Sequence, residues 1–115
     1  MEVAVVLEAV PEFADRYLDL VDAADDDPGA AATFTELAEF VLVISQGPEA
    51  PSGPISRCFA GVERVAGESR RAEELVGWCF LEGLGPEHVE RFAPWMGRKT
   101  LAIAERLELA PGSGP

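Results

Sequence analysis

A chain of 115 residues fits one domain, since single cores usually serve about 100–150 residues, and 48% apolar with 26% charged residues is a globular composition. Twenty-one acids against nine bases leave a net charge of −12, which argues against nucleic acid and anionic lipid as partners and for something basic. The longest apolar run, Phe40-Val41-Leu42-Val43-Ile44, is far short of the ~18 residues of a membrane span, and Glu2 stands where a secretory signal needs a base, so a cytoplasmic chain is expected.

Apolar residues recur at three- and four-residue steps throughout, and no alternating stretch reads as a strand, so the fold expected is all-α. Val3, Val6, Leu7, Val10, Phe13, Tyr17 and Val21 keep one face apolar through Pro11, which either opens a second helix or kinks a single one. Asp27-Pro28-Gly29 breaks the chain, and Thr33 with Glu36 three residues on reads as a capping box for a helix running to Ile44. That helix is apolar on more than one face and is expected at the centre. The segment from Gln46 to Pro54, with three prolines and two glycines, is a loop.

Pro54 suits a first helical turn, followed by Ile55, Cys58, Phe59, Val62, Val65 and Ala66 at core spacing. Ser69 reads as the cap of a helix whose core face is Ala72, Leu75, Val76, Cys79 and Phe80, leaving Trp78 and Leu81 off the stripe. Pro86 opens a short helix through Phe92, and Gly97 leads into a last one carrying Leu101, Ala104 and Leu107. Five or six antiparallel helices follow, as a short HEAT-like stack of helical hairpins or a compact bundle. Residues 1–110 form a single helical domain and residues 111–115 a disordered tail.

The charge is unevenly placed. Residues 1–50 hold twelve acids and one base, Arg16, for a net −11, whereas residues 51–115 hold nine acids and eight bases, for −1. Glu8, Glu12, Asp15, Asp19, Asp22 and Asp26 step by four, three, four, three and four, so one helix would carry all six along one side. Like charges at that spacing oppose an isolated helix, and the row reads either as a solvated acidic face or as one that a basic partner relieves.

Other motifs carry less. Asp25-Asp26-Asp27-Pro28-Gly29, with Glu36 at the twelfth position from Asp25, has the outline of a calcium loop but has Ala30 where the sixth-position glycine belongs, so no metal is expected. His88 is the only histidine, and Cys58 and Cys79 lie in apolar patterns, which fits buried free thiols better than a zinc site or a Cys–His nucleophile. Gly97-Arg98-Lys99-Thr100 could offer amides to a phosphate but lacks the upstream glycine of a Walker loop, and reads better as a helix cap. Phe92, Trp95 and Met96 beside Arg91 and Arg98 close the end of the core or form an aromatic anchor, the first being favoured.

Three stretches share an order: Ile55-Ser56-Arg57-Cys58-Phe59 with Val62-Glu63, then Trp78-Cys79-Phe80-Leu81-Glu82-Gly83-Leu84, then Trp95-Met96-Gly97-Arg98-Lys99-Thr100-Leu101. Over about residues 35–108 the chain resembles a family of small all-helical bacterial proteins of unknown function, marked by Phe-Leu-Glu and Gly-Pro-Lys-Thr motifs. Arg98 stands where that family more often has proline. The resemblance implies a helical-repeat-like fold, similar in size and style to toxin immunity proteins, and supplies no catalytic residues. The expected function is therefore non-enzymatic binding without a cofactor: an immunity-type inhibitor whose acidic ribbon meets a basic toxin such as a nuclease. The alternative is a helical scaffold or regulatory subunit, homodimeric in one form, that uses Trp78, Leu81, Trp95 and Met96.

Overall fold

Pro11 sets how the chain begins. Its ring and missing N–H end a helical run, and Val10 before it takes φ −130° and ψ 78°, outside the helical region. Helix α1 (Glu2–Ala9) stops there, a 3-10 turn spans Pro11–Phe13, and α2 (Ala14–Ala24) starts afresh. A computed structural model describes residues 2–25, 28–46 and 52–107; Asp26, most of the expected 46–54 loop and the expected 111–115 tail lie outside the described residues.

Helix α2 ends on Asp25 at φ 58°, the left-handed conformation common at helix ends and tolerated by aspartate. Helix α3 (Ala30–Ile44) begins a turn earlier than the Thr33 capping box predicts. Gly29, at φ 88°, is its N-cap, so Thr33 is already inside the helix and its hydroxyl donates back to the Gly29 carbonyl at 2.8 Å. Glu36, released from the box, accepts from Arg16 Nη2 at 2.9 Å and ties α2 to α3. The C-terminal end of α3 is closed by Arg91, whose Nη2 donates to the Ser45 carbonyl at 2.9 Å.

Helix α4 (Ser52–Ala66) is followed by α5, residues 70–84, where the Ser69 hydroxyl accepts the Ala72 N–H at 3.0 Å as its sequence position predicts. Helix α6 (Pro86–Phe92) opens behind Gly85 at φ 86°, a 3-10 turn covers Ala93–Trp95, and α7 (Arg98–Arg106) ends the order. Among the described residues there are seven helices and no strand. All-α is therefore correct, and the count exceeds five or six because Pro11 divides the first segment.

Helix α3 packs chiefly on α5, α1 on α4, α2 on α3, and α7 on α4 and α5. Small residues allow two close crossings: a Cβ on Gly83 would stand 2.9 Å from that of Ala38, and one on Gly61 would stand 2.9 Å from that of Ala9. The helices enclose one core, with Phe13 edge-on to Phe40 at 5.5 Å and Phe59 against Phe80 and Phe92 at 5.6 Å each. A radius of gyration of 13.4 Å agrees with the ~13 Å of a compact chain this long. No helix among the described residues is long and apolar enough to cross a membrane.

The centre of α5 departs from the α-helical pattern, because Leu75–Leu81 is wound as a π-helix. Its i→i+5 bonding places more residues in each turn, so a core face predicted from a 3.6-residue period slips. Leu81, expected off the stripe, is fully buried beside Val76 and Phe80, while Leu75 and Cys79, expected inside, are only partly covered.

Candidate functional site: the acidic face of α2

Helix α2 is held loosely, with no fully buried residue. Tyr17, Leu20 and Val21 are partly covered, and Arg16 anchors one flank through Glu36. On the side facing solvent, Asp15, Asp19 and Asp22 are exposed, and none has a cation within 4.0 Å among the described residues. Leu18 sits between them, three residues after Asp15 and four before Asp22, and is 57% exposed.

The six-acid ribbon is divided by the break at Pro11. Glu8 is exposed and belongs to α1, so it no longer continues the α2 row. Glu12, in the 3-10 turn, is claimed by Arg57 of α4, which donates from Nη1 to Oε1 at 3.0 Å and from Nη2 to Oε2. That bidentate pair holds the Glu12 carboxyl below the usual carboxylate range, and Glu12 itself raises Arg57. Asp26 lies outside the described residues. The face that remains is a three-aspartate row around an exposed leucine.

The aromatic alternative changes more. Trp78 is 61% exposed and Trp95 39%, but Leu81 and Met96 are core residues and are withdrawn as contact residues. Phe92 is buried and lies 6.0 Å from the Trp95 ring, so Phe92 and Met96 belong to the core and Trp95 packs against Phe92 at its edge.

The amides at the start of α7 are already used, as the cap reading requires. Glu63 of α4 accepts from Lys99 N and Thr100 N at 2.9 Å each and from the Thr100 hydroxyl at 2.8 Å. A Cβ on Gly97 would collide with the Glu63 carboxyl, so only glycine admits this cap. Partial burial pushes the Glu63 carboxyl up, but the three hydrogen bonds and the Lys99 charge outweigh it and leave it below its ordinary value. Sequence reasoning gave Glu63 no role. The available signal was a helix start at Gly97 with no Ser, Thr, Asp or Asn to cap it, which requires an acceptor from elsewhere.

Both thiols are disfavoured as nucleophiles: burial pushes Cys58 up, and burial also raises Cys79 against a smaller opposing hydrogen bond to Thr35. His88 stands 3.9 Å from its neighbour Glu87. No group of three or more His, Cys, Asp or Glu among the described residues is arranged to hold a metal ion.

Where α4 ends, α5 and α7 enclose a cleft of about 730 Å³ around Trp78, lined by Arg70, Lys99 and Arg106 together with Glu73 and Glu74. The sequence does not reveal it, because its cations come from two helices far apart in the chain.

Comparison with protein-family models, curated proteins and solved structures finds no match for this chain. Its functional reading therefore rests on the residues and their geometry.

Proposed function

We propose that this chain is a protein-binding module that presents the exposed face of α2 to a basic partner. The observation that carries this reading is the row of Asp15, Asp19 and Asp22, which is exposed and has no cation within 4.0 Å among the described residues, while the nearby Arg16 and Arg57 are spent on Glu36 and Glu12. Like charges at i,i+3 and i,i+4 cost an isolated helix about 0.2–0.5 kcal/mol per pair, and a cationic partner turns that cost into attraction. Leu18 supplies an apolar contact in the middle of the row. Charge complementarity speeds association and selects the partner, whereas burial of Leu18 slows its release.

In its most concrete form the module is an immunity-type inhibitor that covers the basic active site of a toxin such as a nuclease. A basic toxin encoded beside this gene is the first partner to try. Against its partner, the double variant Asp15→Lys/Asp19→Lys is expected to associate at least about tenfold more slowly than wild type at low salt and within about twofold at high salt. Equal rates under both conditions would discard the acidic face.

A further inference from the structure

The cleft around Trp78 has a chemistry the α2 face does not explain, and no residue of α2 lines it. Three cations meet there, Arg70 from the first turn of α5 and Lys99 and Arg106 from the two ends of α7, and none has a carboxylate within 4.0 Å among the described residues. Glu73 and Glu74 also reach the cleft, so its lining carries one net positive charge within a chain of −12. The Lys99 side chain lies over Gly67, where its ammonium would have to shift to admit a Cβ.

A single exposed tryptophan is ordinary. This one stands in the π-helical segment Leu75–Leu81, a rare winding that often marks functional positions, and lines the same cleft as the three cations. Burying Gly77 against Ile103 and Leu107, at 3.0 and 2.9 Å from its would-be Cβ, fixes α5 on α7 at the floor of the same region. The volume, about 730 Å³, lies within the ~300–1,000 Å³ of small-molecule sites.

We propose that this cleft binds a small anion carrying a planar aromatic ring, of the size and chemistry of a nucleoside monophosphate. Arg70, Lys99 and Arg106 hold the anionic group. The Trp78 indole stacks on the ring. Glu73 and Glu74 limit the excess of positive charge and so weaken anions that offer no ring.

The chain has two tryptophans, so Trp95→Phe leaves Trp78 as the sole reporter. In that background, adenosine 5′-monophosphate is expected to quench the fluorescence saturably, whereas ribose 5-phosphate and inorganic phosphate leave it unchanged. Lys99→Ala and Arg106→Ala are each expected to weaken the nucleotide by roughly tenfold, the usual loss of a charged hydrogen bond. Glu73→Gln is expected to tighten it severalfold, a gain that misfolding cannot imitate. The proposal is overturned if the nucleotide gives no saturable change up to its solubility limit, if adenosine binds as well as its monophosphate, or if the cation variants bind like wild type while far-UV circular dichroism shows them folded.

Discussion

Phe59→Ala is expected to remove about 3–5 kcal/mol of folding stability, the usual cost of deleting a fully buried phenylalanine. Phe59 is 0% exposed and its ring lies 5.6 Å from those of both Phe80 and Phe92, so one substitution opens a void where α4, α5 and α6 meet. Neighbours held in three helices cannot all relax into it. A domain this long has about 6–17 kcal/mol in total, so the variant should unfold at a much lower urea midpoint with little change in slope. Trp78→Ala, at a residue 61% exposed, serves as the control and should cost far less. Similar losses for the two would mean that the aromatic centre is not where the helices join.

Glu63→Ala is expected to cost about 2 kcal/mol, because it strips three acceptor contacts from the start of α7 and leaves the Lys99 and Thr100 amides without their partner. The sign of its pH dependence follows from the lowered carboxyl. A folded-state value below the unfolded one means that the contribution is fully present above the ordinary glutamate value of about 4.3 and fades as pH falls through the depressed folded value. Wild type and Glu63→Ala should therefore differ by a constant amount at neutral pH and converge in acid. Glu63→Gln keeps an acceptor but loses the charge, and should fall between them. A stability gap that stays unchanged down to pH 2 would contradict the capping account.

Much of this architecture was legible in the residues. The Ser69 cap, the Pro86 helix start and the core stripe from Ile55 to Ala66 follow from spacing and local chemistry, which act within a few residues. The failures have separate causes. Thr33 lost its capping role because Gly29 could open the helix a turn earlier. Leu81 moved inward because the π-helical winding of α5 changed the period on which its placement was judged.

The candidate site shows the same division. Exposure of Asp15, Asp19 and Asp22 was readable from helical periodicity. Pairing of Glu12 with Arg57, 45 residues away, was not, because only the docking of α4 brings the guanidinium to the 3-10 turn. The Trp78 cleft was equally hidden, since Arg70 and Arg106 become neighbours only when α7 lies along α5.

The central claim is that the basic partner is received on α2 and not by negative charge in general. It is tested most directly by an amide NMR titration with an oligolysine peptide at low salt. The account predicts shifts and broadening centred on Asp15, Leu18, Asp19 and Asp22, reversed by added salt and abolished in Asp15→Lys/Asp19→Lys. Shifts spread evenly over exposed acids such as Glu82, Glu87, Glu90 and Glu105, with α2 no more affected than the rest, would contradict it.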